Sequence, residues 1–226
     1  MQEQSTLLEP LSALQMAALE EAVASYEAAL TADAVAYLLG PRRGLDKGTV
    51  LTARLGVVDD PFPGHTRYAG MIAIPYLDRL GRPVQIRFHC PVEHQHTDFF
   101  HGKYNGLAGE PTRMYGVDAL FTADNEIHVT EGEFDALVLR MLGLPSVAIP
   151  GANNWKARHR ENLLGFSRIF VWGDADDAGA DFTLKITRQL RQAVGVRLPT
   201  KNDITSLYNR DGSEAILRAL DEARAL

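Results

Sequence analysis

Four acidic residues stand where two β-strands are expected to end. The strand-like run EIHVT (126–130) leads directly into Glu131-Gly132-Glu133-Phe134-Asp135, and RIFVW (168–172) leads into Gly173-Asp174-Ala175-Asp176-Asp177-Ala178-Gly179. Glu131 lies at the first strand tip, and Asp135, four residues on, falls one helical turn away on the same face. Asp174 and Asp176 alternate in a glycine-flanked turn, so all four carboxylates can face one space if their strands are neighbours. Hard oxygen donors converging in this way suit Mg²⁺ or Mn²⁺, which take a few carboxylates and keep positions open for water and phosphate oxygens. An acid at a helix start also has a plainer role, capping backbone N–H groups and complementing the helix dipole. Four together are harder to explain that way, because like charges at short range destabilise a fold unless a cation or a proton offsets them.

The elements that must hold these acids follow from periodicity. From about residue 124, strand and helix patterns alternate four times, as in a parallel sheet wrapped by helices. The strands are 126–130, 146–150, 168–172 and 196–199; the helices fall near 133–142, 156–164, 178–193 and 213–225. Functional groups in such sheets gather beyond the carboxyl ends of the strands, which is where the acids stand. Upstream the pattern differs. A long helix is expected from Thr6 to Leu30, with Leu7, Leu11, Leu14, Ala18, Ala22 and Tyr26 on one face. A second, capped by Thr31 or Asp33, should stop at Gly40-Pro41. MIAIPYLD and PVQIRF around Gly81-Arg82 read as a hairpin, and a polar, histidine-rich loop (89–103) follows. The expected division is an N-terminal α+β part (1–123) and a C-terminal α/β part (124–226).

The chain has 226 residues and a formal net charge of −6, which argues superficially against a phosphate-rich partner. The deficit is local, since residues 1–36 carry six acids and no Lys or Arg, whereas residues 37–123 carry ten bases against eight acids. That slight excess permits phosphate contact without the tight, sequence-blind binding of a strongly basic domain. The single cysteine excludes a disulfide framework and any site built from several thiolates. Neither a membrane-spanning run nor a signal peptide is evident, so a cytoplasmic protein is expected.

Glu131-Gly-x-x-Asp135 after one strand and Asp174-x-Asp176 after another, about forty residues later, resembles the TOPRIM domain shared by DnaG-type primases, topoisomerases and some nucleases. The continuation Asp-x-Asp-x-Ala-Gly is most similar to the primase branch. Upstream, YLLGPRRGL, RLGV (54–57), RYAGMIAIPYLDRLGRPVQIRF and GKYNGLAGEPTRMYGV resemble successive stretches of the DnaG-type polymerase core. Downstream, LPTKNDITSLYNRDGSEAI resembles the segment closing the TOPRIM domain. Together these cover about residues 26–215. The resemblance implies a TOPRIM domain with a four-stranded parallel sheet flanked by helices, preceded by a mixed α+β basic subdomain. It implies a DNA primase that makes short RNA primers on a single-stranded DNA template from ribonucleoside triphosphates. Carried over residue by residue, Glu131, Asp135, Asp174, Asp176 and Asp203 would hold Mg²⁺ or Mn²⁺. Glu131, Asp174 and Asp176 would be catalytic, Glu131 assisting deprotonation of the attacking hydroxyl. Arg87, Lys103 and Arg113 would face nucleotide or template. The competing readings are a TOPRIM nuclease using the same acids, and a catalytically silent replisome or DNA-binding module.

Family members usually carry a zinc-binding module before this core and a helicase-binding or helicase module after it. Neither is expected here, so template selection and helicase coupling would be supplied in trans. One feature stands outside the family pattern. His89, Cys90, His94, His96 and His101 crowd into thirteen residues, where Cys90-x3-His94 or His94-x-His96 could ligate zinc or copper; the segment also reads as a loop that meets nucleotide or template. Trp155 is expected either to stack on a base or to pack at a helix start.

Overall fold

A computed structural model of the chain describes residues 8–99, 101–151, 154–199 and 202–225. The chain divides into two compact units, one formed by Glu9–Gly40 and Leu45–Pro111, the other by Pro41–Gly44 together with the chain from Thr112 onward. The division expected at 123/124 therefore falls inside the second unit. Residues 112–123 belong there because Tyr115 and Ala148 exchange backbone hydrogen bonds of 2.8 and 3.1 Å. In addition, Arg140 donates to Gly116 O (2.6 Å) and makes two bonds to the Asp118 carboxylate.

The first unit is a four-stranded antiparallel sheet with helices against it. Helix α1 (Ala13–Ala28) begins where Ser12 and Gln15 form a reciprocal capping box, later than the expected start at Thr6, which lies outside the described residues. Its buried face is Ala22, Val23 and Tyr26. Leu14, expected on that face, is 80% exposed. Helix α2 (Ala32–Leu39) is capped by Thr31 and ends at Gly40, and α3 (Lys47–Thr52) is capped by Asp46. The strands β1 (Gly56–Val57), β2 (Ile72–Leu77), β3 (Pro83–His89) and β4 (Tyr104–Asn105) lie in that order. The expected β2–β3 hairpin is present. Its turn is held by Asp78, whose Oδ1 accepts from the N–H groups of Leu80 and Arg82, with Gly81 at φ +76°. The core groups α1 residues with Tyr68, Ile86 and Phe88, the rings of Tyr68 and Phe88 stacking with centres 4.2 Å apart.

The second unit holds α4 (Ala119–Thr122), β5 (Glu126–Thr130), α5 (Glu133–Met141), β6 (Ser146–Ala148), α6 (Ala157–Leu163), β7 (Arg168–Trp172), α7 (Asp177–Thr187), β8 (Ala193–Gly195), α8 (Ile204–Asp211) and α9 (Ser213–Arg224). The sheet is parallel, in the order β6-β5-β7-β8. The chain thus leaves β5 toward one side for β6 and returns to its other side for β7. The β5/β7 boundary is the topological switch point, where open α/β sheets form ligand crevices. Ile127, Val129, Ile169 and Val171 are fully buried in its core.

Two expected elements are displaced. The fourth strand lies at 193–195 rather than 196–199, because residues 193–195 pair with 169–171 and the ladder ends after Val196 donates to Val171 O. Helix α7 stops at Thr187 instead of 193, its last turns giving way to the connection that delivers β8. Helix α8 was not anticipated.

Candidate active site

The parallel register builds the site. Thr130 of β5 pairs with Trp172 of β7, so the residues that follow, Glu131 and Gly173-Asp174, emerge side by side at the switch point. The Asp174 N–H donates to Glu131 Oε1 at 3.1 Å, tying one strand tip to the other. Burial holds the Glu131 carboxyl above its ordinary value; the Asp174 N–H opposes this, while the charges of Asp176 and Asp135 add to it.

Glycines explain how the acids fit so closely. Gly132 caps α5 without a side chain, and a Cβ there would stand 2.6 Å from Asp135 Oδ2. The glycine in Glu-Gly-x-x-Asp is thus the space that Asp135 occupies. A Cβ on Gly173 would run into the backbone of Gly179, and one on Gly179 into the backbone of Asp174. The two glycines flanking Asp-x-Asp therefore let α7 start directly against the end of β7.

Asp135 is buried on α5, and its Oδ1 accepts from both the backbone N–H (2.9 Å) and the hydroxyl (2.7 Å) of Thr205 at the start of α8. Burial and the charge of Asp203 push its carboxyl up to about 7, against the lowering effect of the Thr205 bonds; Asp174 adds to the rise. Asp176 caps α7, its Oδ1 accepting from the Gly179 N–H at 2.8 Å. Asp203 caps α8, its Oδ1 accepting from the Ser206 N–H at 2.6 Å. Backbone contact between Ala175 N–H and Asn202 O (2.9 Å) brings the Asp-x-Asp turn and the segment before α8 together.

The five acids named from sequence are therefore joined in one unit by direct bonds or by mutual charge. The three bases fall differently. Arg87 is half-buried on β3 and Lys103 exposed just before β4, both in the first unit, while Arg113 is half-buried in the second. Trp155 is buried, with Nε1–H donating to Gln189 Oε1 at 2.9 Å, and packs in the core of the second unit; the packing alternative holds. Thr205 was not singled out from sequence. Its signal was weak: a residue just inside a helix start whose free N–H suits a carboxylate. Arg43 was missed as well. It is buried, with its guanidinium 4.2 Å from the centre of the Phe134 ring, beside Asp135.

The site's chemistry can be weighed against known proteins. Residues 128–208 match a family described as Toprim-like, spanning the strands, turns and helix starts that carry all five acids. The Gene 57 protein of Mycobacterium phage D29 is 30% identical over 153 residues, covering 68% of this chain and 99% of that protein. The chain belongs to the family of this phage protein, and the Toprim-like match lies in its second unit. Its fold is that of the DnaG-type primase catalytic core. The zinc-binding and RNA polymerase domains of the Aquifex aeolicus primase superpose with a TM-score of 0.77 at 19% identity, covering 97% of this chain and 64% of that one. A DnaG primase catalytic domain bound to single-stranded DNA superposes with a TM-score of 0.72 at 19% identity, covering 92% and 78%. Among the described residues no helix is long and apolar enough to cross a membrane.

Proposed function

We propose that the chain is the catalytic core of a DNA primase, joining ribonucleotides on a single-stranded DNA template. The observation that carries this is the meeting of Glu131, Asp135, Asp174, Asp176 and Asp203 at the switch point of a DnaG-type core, with Asp174 N–H bonded to Glu131. Burial and then the neighbouring acids raise Glu131 and Asp135, and a set of hard oxygen donors that repel one another fits divalent cations. Glu131, Asp135, Asp174, Asp176 and Asp203 would hold Mg²⁺ or Mn²⁺. Bound there, such ions lower the pKa of an attacking hydroxyl and offset charge on triphosphate oxygens.

The chain's own groups would do the rest. Glu131, with its raised proton affinity, is suited to accept the proton of the 3′-hydroxyl that attacks the α-phosphate while pyrophosphate leaves. Asp174 and Asp176 would orient the reacting groups from a turn fixed by two close-packed glycines. Thr205 would hold Asp135 in place. Arg87, Lys103 and Arg113 would neutralise template or triphosphate phosphates, Arg being suited to bidentate contact. The relative bound to single-stranded DNA supports that template class.

The test is incorporation of labelled ribonucleotides on varied single-stranded templates, with template degradation followed in the same tubes. A primase yields short RNA in Mg²⁺ or Mn²⁺, and Glu131→Gln and Asp174→Asn abolish it while the fold survives. Template cutting without synthesis would identify a nuclease, and neither activity would identify a silent module.

A further inference from the structure

We propose that Cys90, His94, His96 and His101 form a structural zinc site that staples the loop between β3 and β4. One ligand atom from each lies within 4.8 Å of every other. Cys90 Sγ and His94 Nε2 are 3.7 Å apart, and the three imidazoles face one another, with ring centres 4.6 Å (His94–His96), 5.1 Å (His94–His101) and 5.2 Å (His96–His101) apart. These residues all lie in the first unit, so the cluster is distinct from the carboxylate site.

The surroundings fit a ligand set better than a chance gathering of rings. His101 Nδ1 lies 2.9 Å from Gly102 O, so its N–H donates there and Nε2 is left with its lone pair; metal-bound histidines are usually oriented by such an outer partner. His96 Nδ1 is shielded from solvent yet has no hydrogen-bond partner, an arrangement that costs stability unless something accepts the lone pair. His94 is held flat against Phe99, with ring centres 4.4 Å apart and planes at 25°. The backbone closes the loop around the cluster: Cys90 N–H donates to Lys103 O (2.9 Å) and His101 N–H to His96 O (3.3 Å).

His89, which the sequence places in the same run, is not a member. It points to the opposite face of β3, as alternation requires, where its Nε2 lies 2.6 Å from the Tyr37 hydroxyl. What remains is one sulfur and three imidazole nitrogens. Four protein donors of borderline softness match tetrahedral Zn²⁺ and leave no open position, the pattern of a structural site. Such a metal would join the end of β3 to the chain two residues before Lys103, and part of its binding free energy would be ordering of this loop.

The experiment uses the whole chain in excess Mg²⁺, which keeps the carboxylates occupied. After expression in zinc-supplemented medium and dialysis, elemental analysis should find one zinc per chain. Titration of Co²⁺ into the demetallated protein should give the intense visible bands of tetrahedral cobalt and a near-ultraviolet thiolate-to-cobalt band. Cys90→Ser should remove the thiolate band, and His96→Ala should weaken Zn²⁺ binding more than about 100-fold, since loss of even an outer partner of a ligand costs about 10- to 100-fold. Asp98→Asn, in the same loop, should bind as the parent does. Circular dichroism of each variant separates ligand loss from unfolding; if Cys90→Ser does not fold, His101→Ala carries the comparison. An octahedral cobalt spectrum, or zinc content unaltered by loss of Cys90 and His96, would each overturn the assignment.

Discussion

Asp135 should make the metal-free protein less stable as the pH rises, the reverse of ordinary carboxylate behaviour. Its carboxyl lies near 7 in the folded chain against 3.8 in the unfolded one, chiefly through burial and then the charge of Asp203. A group whose folded value is raised leaves stability intact below the unfolded value and removes it as the pH climbs through the folded one. A shift of about three units at about 1.4 kcal/mol each amounts to about 4 kcal/mol, lost between about pH 4 and pH 7. Asp135→Asn isolates the effect, since its amide oxygen can still accept both Thr205 bonds and it does not titrate. Urea unfolding followed by circular dichroism in EDTA should find variant and parent equal near pH 4, with the variant ahead by about 4 kcal/mol at about pH 8. Mn²⁺ should narrow the gap at pH 8, because the parent gains about 2.7 kcal/mol at 100 times Kd and the variant far less; about 1,000 times Kd, worth about 4.1 kcal/mol, is needed to close it. A stability difference that stays flat from pH 4 to pH 8 would refute the reasoning, because burial would then not be holding the proton.

Three further perturbations address other parts of the second unit. Gly132→Ala, at φ −114° and ψ 147°, meets no backbone strain but puts a Cβ against Asp135 Oδ2; ribonucleotide incorporation should fall on the order of 100-fold with stability changed by less than about 1 kcal/mol, as kinetics and urea melts on one preparation will tell. Thr205→Val removes the hydroxyl bond to Asp135 and should destabilise the metal-free chain by about 1–3 kcal/mol, mainly above pH 7 where the carboxylate is charged; an equal loss at pH 4 would point to packing instead. His128 is buried in β5, accepts from Trp172 Nε1–H at 3.0 Å, and is lowered to about 4 by burial. Its contribution is complete above about pH 6.5 and is lost, by about 3 kcal/mol, as the pH falls through about 4. His128→Gln, which keeps an acceptor for Trp172, should therefore move the acid-unfolding midpoint to lower pH, and superimposable acid titrations would dismiss that role.

The parts legible in sequence are those whose causes are local. The β2–β3 hairpin is announced by Asp78 and Gly81, and β5 and β7 by runs of buried β-branched and aromatic residues. The parts that were not legible depend on distant partners. Helix α8, ITSLYNRD, spans only eight residues; it is fixed by the Asp203 cap and by packing of Ile204 and Leu207. Thr205 acts on a residue seventy positions away, which no window on the chain can reveal. Leu14 obeys the helical spacing of α1 yet stays exposed, because periodicity specifies which residues share a stripe and not how far along the helix the neighbouring sheet extends.

Capping and metal binding, posed as rival readings of these acids, are compatible at this sheet edge. Asp176 and Asp203 each cap a helix, as the plainer reading expects, but each does so through Oδ1. The second oxygen of each carboxylate is not part of the cap. The cap bond also fixes the side-chain torsion, so that this oxygen is aimed before any ligand arrives, and the ordering cost is met at folding instead of at binding. Asp135 reaches the same state by another route, with Oδ1 held by two Thr205 donors and Oδ2 lying over Gly132. Glu131 is held by the Asp174 N–H. Each carboxylate with a described anchor is thus secured by one oxygen to backbone or hydroxyl groups. Neutral donors can orient an anion without cancelling its charge, which a lysine or arginine in the same place would do. The repulsion that remains adds to burial in raising Asp135 and Glu131. It is also what a divalent cation would relieve, so the same arrangement that destabilises the metal-free protein at neutral pH supplies its affinity for metal.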